Sequence, residues 1–248
     1  MRNATSFGTQ AAHYAAARPT YPAALFDWIA AEAPERERVW DVGTGSGQAA
    51  RALAGRFEQV HATDLDAAQL TAASLHPNVS YAQGSAHEPG LPADSVDAVT
   101  VATALHWFDF ARFWPEVQRV ARPGAVFAAW TYHRIEADAD VMARLVEPVL
   151  SVIDPYWSEG NRLSWRGYPP DEIGFPFEPL TAPDFACELG WAPAQLTAFL
   201  RSWSAHARAR EAGHGAQLER VEREAVTALG LAPRAIRLPL AMRAGRIA

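Results

Sequence analysis

Val39-Trp40-Asp41-Val42-Gly43-Thr44-Gly45-Ser46-Gly47-Gln48 is the stretch whose reading decides the fold. A short apolar run closes around an acid, three glycines follow at alternate positions, and an Ala-rich segment comes next. Glycine has no Cβ, so it permits a tight strand-to-helix turn and a close approach of a ligand to the backbone. The helix that follows begins with free N–H groups beneath that ligand. Open α/β sheets bind their ligands at the carboxyl ends of the strands. The stretch therefore predicts a first strand, a nucleotide-binding loop over Gly43, Thr44, Gly45 and Gly47, and a first helix from about 47 to 57.

A dinucleotide loop needs G-x-G-x-x-G, and here the third glycine comes one residue early, with Gln48 in its place. A phosphate loop needs a lysine after its last glycine, and the chain has no lysine. Asp41, just before the glycines, would repel a pyrophosphate and suits a cationic amino-acid ligand. Further along, 59–63 reads as a second strand with Asp64 at its end, where such folds place an acid against ribose hydroxyls. Asp66 and Gln69 have the spacing of a capping box, so Asp66 is read as the helix cap and Asp64, with Leu65 beside it, as the ligand-facing residue. Strands are expected at 79–83, 96–101 and 126–132, with a helix capped by Asp109 and broken or kinked near Pro115. Beyond 133 the pattern changes. A helix is expected over 138–153, an aromatic, loop-rich lid over 155–183, and a strand near 185–189. Helices over 193–207 and 218–229 and a last strand at 235–242 complete the chain.

The pattern Asp41-x-Gly43-x-Gly45-x-Gly47, followed by Asp64 and the strand-4 segment, resembles motif I and its sequel in the class I S-adenosylmethionine-dependent methyltransferases. The resemblance covers roughly residues 10–132. Tyr14-x-x-x-Arg18-Pro19-x-Tyr21-Pro22, His106-Trp107-Phe108-Asp109 and Ser202-Trp203-Ser204-Ala205 place it nearest the trans-aconitate methyltransferase-like small-molecule subgroup. It implies a single α/β domain with a Rossmann-like, seven-stranded, mainly parallel sheet and an antiparallel last strand. A segment at 1–33 would cover the cofactor, a core at 38–132 would bind it, and 138–230 would supply the substrate lid and helices. The implied cofactor is S-adenosyl-L-methionine. Asp41 would accept from its amino group, and Arg18 and the glycine-loop backbone would meet its carboxylate. Tyr14, Trp107 and Trp130 are candidates to face the sulfonium, because aromatic faces attract cations, although packing in the core accounts for Trp107 and Trp130 equally well. Ser85 and Ala86 occupy the adenine-contact position, and Thr103 lies at the exit of strand 4.

Methyl transfer needs a base only when the acceptor carries a proton. His106 sits where strand 4 opens onto the site and titrates near neutrality, so it is either a general base or a residue that lines the pocket and orients substrate. His133 is a second such candidate. Trp107, Trp157 and Trp165 are read as substrate-facing, and Arg166 and Arg201 as clamps for a carboxylate acceptor. A Rossmann-type oxidoreductase and a non-catalytic cofactor-binding homologue remain as alternatives. No metal site is expected. The net charge of −6 over 248 residues, with no basic tract, argues against nucleic-acid substrates. No apolar run reaches the length of a membrane span, and the N-terminus lacks the apolar segment of a signal peptide. A cytoplasmic protein acting on a small molecule is expected, and the replacement of every Lys by Arg points to a GC-rich bacterial genome. Oligomeric state leaves no mark in the sequence.

Overall fold

The computed structural model describes residues 18–248; Tyr14 and the rest of 1–17 lie outside the described residues. α1 (Ala23–Glu32) precedes β1 (Arg38–Val42), α2 (Gln48–Leu53), β2 (Gln59–Asp64), α3 (Ala67–Thr71), β3 (Val79–Gln83) and β4 (Val96–Ala102). A 3-10 turn at Leu105–Trp107 and α4 (Phe110–Val120) lead into β5 (Ala121–Tyr132). β1 pairs in parallel with β2 and β4, β2 with β3, and β4 with β5. These strands form the run β3-β2-β1-β4-β5. β4 is buried from Val96 to Val101, as a parallel strand covered on both faces must be.

After β5 come β6 (Glu136–Ala137), α5 (Ala139–Val141), a π turn at Met142–Val146 and α6 (Glu147–Ile153). A 3-10 turn at Asp154–Tyr156 precedes α7 (Glu159–Trp165), α8 (Pro170–Ile173), β7 (Glu178–Pro179) and β8 (Ala186–Trp191). α9 (Pro193–Arg201), α10 (Ser204–Ala209), a π turn at Arg210–His214, α11 (Gly215–Leu229) and β9 (Arg234–Arg246) follow. β9 runs antiparallel to β5, with Trp130 opposite Met242, and also pairs antiparallel with β6, β7 and β8. Nine strands are present among the described residues, where seven were expected. β6 and β7 are two-residue pairings on β9, and setting them aside leaves seven.

Three local expectations need correction. α4 runs through Pro115 as one helix. The bond that proline removes is the one to the carbonyl of Ala111, and both residues lie on the exposed face, while Phe113, Trp114, Val117 and Val120 hold the buried face together. The helix expected over 193–207 is two helices, because Trp203 turns to an extended backbone (ψ 138) between them. The lid expected over 155–183 is divided: Trp157 and Trp165 pack with α1, α2 and the later helices on one side of the sheet, whereas Tyr168, Ile173, Phe175 and Phe177 pack with α4 on the other. No helix among the described residues is long and apolar enough to cross a membrane.

Candidate active site

The glycine loop leaves β1 with left-handed backbone at Gly43 (φ 65°) and Gly47 (φ 77°), a conformation that costs other residues energy. Space is as restrictive as conformation. A Cβ on Gly43 would lie 2.7 Å from the Cβ of Ala104, and one on Gly47 would collide with the Tyr81 ring and hydroxyl. The loop is thus pressed against the exit of β4 on one side and against β3 on the other.

Asp41 does not reach the ligand face of this loop, contrary to the expectation that it meets the cofactor's amino group. It is fully buried, with Oδ2 accepting from the Thr44 hydroxyl at 2.6 Å and Oδ1 from the Thr100 hydroxyl at 2.8 Å. Burial pushes its carboxyl up to about 6 against the pull of those two donors. Its place in the middle of the sheet makes it the support beneath Thr44. Asp64 takes the exposed role. Its Oδ2 accepts from the N–H of Gly45 at 2.8 Å and its Oδ1 from the N–H of Asp66 at 2.9 Å. Each oxygen keeps a free lone pair, and burial raises the carboxyl's pKa. Asp66 caps α3 through the N–H of Ala68. The reciprocal half of the capping box is not made: Asp64 takes the N–H of Asp66, and Gln69 Oε1 is left buried without a partner.

A cleft of about 990 Å³ opens over the loop. Gly43, Thr44, Gly45, Asp64, Leu65, Ser85, Ala86, Thr103 and Arg18 are among the residues that line it. Gly47 lies below, under Tyr81. Leu65 is 51% exposed, an apolar face left open at the cleft. The Ser85 hydroxyl, like Gln69 Oε1, is buried and has no partner among the described residues. Buried polar atoms in native proteins are almost always paired, so these two atoms leave the cleft wall able to take a polar ligand. The residues present fit the cofactor that the resemblance implies. They offer a carboxylate with free lone pairs, a turn pressed close by glycines, an open apolar face and unpaired polar atoms.

A second, smaller cavity of about 90 Å³ adjoins the cleft and shares Arg18, Thr103 and Trp107 with it. Thr103 holds a left-handed backbone (φ 52°) with its N–H on the carbonyl of Trp130 at 2.8 Å. Strain at a β-branched residue persists only where the surroundings impose it. Trp157, Trp165 and Trp203 form the far wall, their rings 5.5 Å apart pairwise. The Arg18 guanidinium lies 5.5 Å from the rings of both Tyr132 and Phe199. Trp130 lines neither cavity; it is buried against Tyr21 and Phe26.

His106 lines the inner cavity as expected, but its chemistry differs from that of a base. Burial first, and then the positive charge of Arg18, push its pKa down to about 3. At neutral pH, protonating a ring four units below the medium costs about 5 kcal/mol. His133 is outside both linings; its Nδ1 lies 2.9 Å from the carbonyl of Trp165 and ties down the end of α7. Neither proposed clamp lines the cleft or the inner cavity. Arg166 pairs with Glu172 on the surface, and Arg201 pairs with the buried Glu222, which also meets His206 at 2.8 Å. Arg18 and Arg134 are the arginines among the inner-cavity residues. Two residues in the site carry no local sequence signal: Tyr168, whose hydroxyl lies 3.0 Å from His106 Nδ1, and Asn161 on α7.

Known proteins resemble this chain along most of its length. The methyltransferase domain matches residues 40–129. A protein of Dictyostelium discoideum named as a methyltransferase is 30% identical over 215 residues, which are 84% of this chain and 80% of that protein. An uncharacterised methyltransferase of Mycobacterium tuberculosis is 41% identical over 121 residues, about half of either chain. A solved structure from Anaeromyxobacter dehalogenans, described as a type II methyltransferase, superposes with a TM-score of 0.82 at 40% identity, covering 93% of this chain and 98% of that one.

Proposed function

The chain belongs to the class I S-adenosylmethionine-dependent methyltransferases, with S-adenosyl-L-methionine as its cofactor, and from that membership we propose that it methylates a small molecule held in the inner cavity. The reading of the loop as part of an oxidoreductase falls away with this assignment. The observation that carries the proposal is the wall common to both cavities, made by Arg18, Thr103 and Trp107. It sets a site of about 90 Å³ directly beside the cofactor cleft. A cavity of that size, walled in part by three tryptophans, suits a compact acceptor.

Bound in the cleft, S-adenosylmethionine supplies an electrophilic methyl group on a positively charged sulfur. The protein contributes position and the exclusion of water. Asp64 would accept from the ribose hydroxyls with the lone pairs left over from Gly45 and Asp66. Ser85 and Gln69 would gain the partners that they lack. Leu65 and Ala86 would cover the base, and Trp107, at the boundary, would present a face to positive charge. In the inner cavity the tryptophans fix the plane of the acceptor, and Arg18 and Arg134 hold oxygen substituents. The acceptor atom is a carboxylate, hydroxyl or amine. The test supplies S-adenosylmethionine and a panel of small acids, phenols and amines, and reads product by mass. Methylated small product supports the proposal. Methyl label that enters only protein or nucleic acid from a cell extract overturns it.

A further inference from the structure

Two hydrogen-bonding side chains beside the inner cavity face each other. Tyr168 is completely buried, with a left-handed backbone (φ 56°) just after Gly167 (φ 75°). Its hydroxyl lies 3.0 Å from Nδ1 of His106, and the two rings are nearly coplanar in direction, 20° apart. A bulky residue at positive φ is uncommon. Here the carbonyl of Tyr168 is held by Arg243 Nε at 3.1 Å, so the conformation is fixed from outside the site and the hydroxyl is aimed inward.

We propose that Tyr168 sets the tautomer of His106, so that the ring offers an Nε2–H donor to the acceptor molecule in place of a base; this rests on the small-molecule reading above. The phenol donates its O–H to Nδ1. Burial keeps Tyr168 protonated, and Nδ1 of His106 is the hydrogen-bond partner of its hydroxyl among the described residues. A buried hydroxyl needs an acceptor for its hydrogen, and Nδ1 is the one it meets. A neutral imidazole that accepts at one nitrogen carries its hydrogen on the other. Nε2 has no partner among the described residues, and the ring lines the inner cavity. No carboxylate lines that cavity among the described residues, whereas Arg18, Arg134 and Asn161 do. The cavity is therefore rich in donors, and an Nε2–H belongs with them. His106 would touch the acceptor and orient its lone pair toward the cleft, with Tyr168 as the positioning residue behind it.

The test is nitrogen NMR on protein labelled in its histidines, eight in the sequence, with the His106 signals assigned by their loss in His106→Gln. The expected wild-type result is a hydrogen on Nε2, a bare Nδ1, and no titration between about pH 5 and pH 8, where an ordinary histidine changes charge. Tyr168→Phe keeps the ring and removes the hydroxyl. It should give a mixture of tautomers and lower kcat about tenfold, the scale of one hydrogen bond, with the S-adenosylhomocysteine Kd unchanged. Thr131→Val keeps the phenol and should keep the Nε2–H tautomer. A hydrogen on Nδ1 in the wild type overturns the proposal, as does titration near neutrality or an unaltered tautomer in Tyr168→Phe. The tautomer is read without turnover, so a failure of the small-molecule reading is seen separately in the product assay.

Discussion

Gly160 packs so tightly on the 3-10 turn below it that a Cβ there would lie 2.9 Å from the carbonyl oxygen of His106. The atom in the way is backbone, so neither side can yield by rotating a side chain. α7 therefore sits directly on the turn that carries His106 and Trp107, and it brings Trp165 to the inner cavity. Gly160→Ala should gain a little helix propensity and lose about 1–3 kcal/mol to overpacking. The expected outcome is a raised KM for the acceptor with S-adenosylhomocysteine binding intact, since the glycine loop lies elsewhere. Turnover together with calorimetry checks it; an unchanged KM would mean that the cavity does not depend on this contact.

Asp64→Ala should weaken S-adenosylmethionine binding at least tenfold. The side chain holds the N–H groups of Gly45 and Asp66 and keeps one lone pair on each oxygen for the ribose. A hydrogen bond to a charged group contributes roughly 1.5–3 kcal/mol, and 1.4 kcal/mol is about tenfold in affinity. Asp66→Ala removes only a helix cap and should cost stability on the order of 1 kcal/mol. Equal cofactor affinities in the two variants, measured by calorimetry, would remove the distinction between the two acids.

Asp41 imposes a pH dependence on stability. Its carboxyl rises from 3.8 to about 6 on folding, chiefly through burial. Between those values the folded chain holds a proton that the unfolded chain has released. Stability from this group is therefore greatest below about pH 4, falls as pH rises toward 6, and is level above that. Two units amount to roughly 3 kcal/mol. Asp41→Asn carries no such term, so its stability relative to wild type should improve from about pH 4 to about pH 6 and then level off. Urea unfolding midpoints across that range decide it, and parallel profiles would show that Asp41 does not titrate as described.

What could be read in the sequence was short-range. Glycine spacing, the alternation of strands with helices, and the separate roles of Asp64 and Asp66 depend on neighbours within a few residues. Several of the errors at the site come from contacts across long separations. Asp41 was read from its place before the glycines, but its role is set by Thr100 on another strand. Arg201 looked free in sequence and is held by Glu222, 21 residues on. Tyr168 meets His106 over 62 residues, and nothing near either one announces the pair. Burial, which only the folded chain reveals, turns His106 from a candidate base into a neutral ring.

The division of the segment 155–183 makes the last prediction. Trp157 and Trp165 line the inner cavity, so α7 and the residues just before it can respond to an acceptor. Tyr168, Ile173 and Phe177 belong to the core, with Phe175 packed against it. Phe175 and Phe177 each stack edgewise on Trp114, at 5.8 and 5.7 Å, and the Trp114 ring N–H donates to the carbonyl of Ile173 at 2.7 Å. Both phenylalanines also press on β9, where a Cβ on Gly245 would lie 2.8 Å from either of them. Burying one such side chain contributes about 1.5–3 kcal/mol. Undocking both would cost roughly twice that, leaving an open population below about one in a hundred. Hydrogen exchange should therefore show protection over 157–165 that rises with S-adenosylhomocysteine plus acceptor, and protection over 168–177 that is the same with or without them. Gly245→Ala should destabilise the whole fold without a selective effect on acceptor KM. Ligand-dependent protection extending through 168–177 would mean that the segment closes as one lid, and that the contacts of Phe175 and Phe177 with Trp114 break and re-form in each cycle.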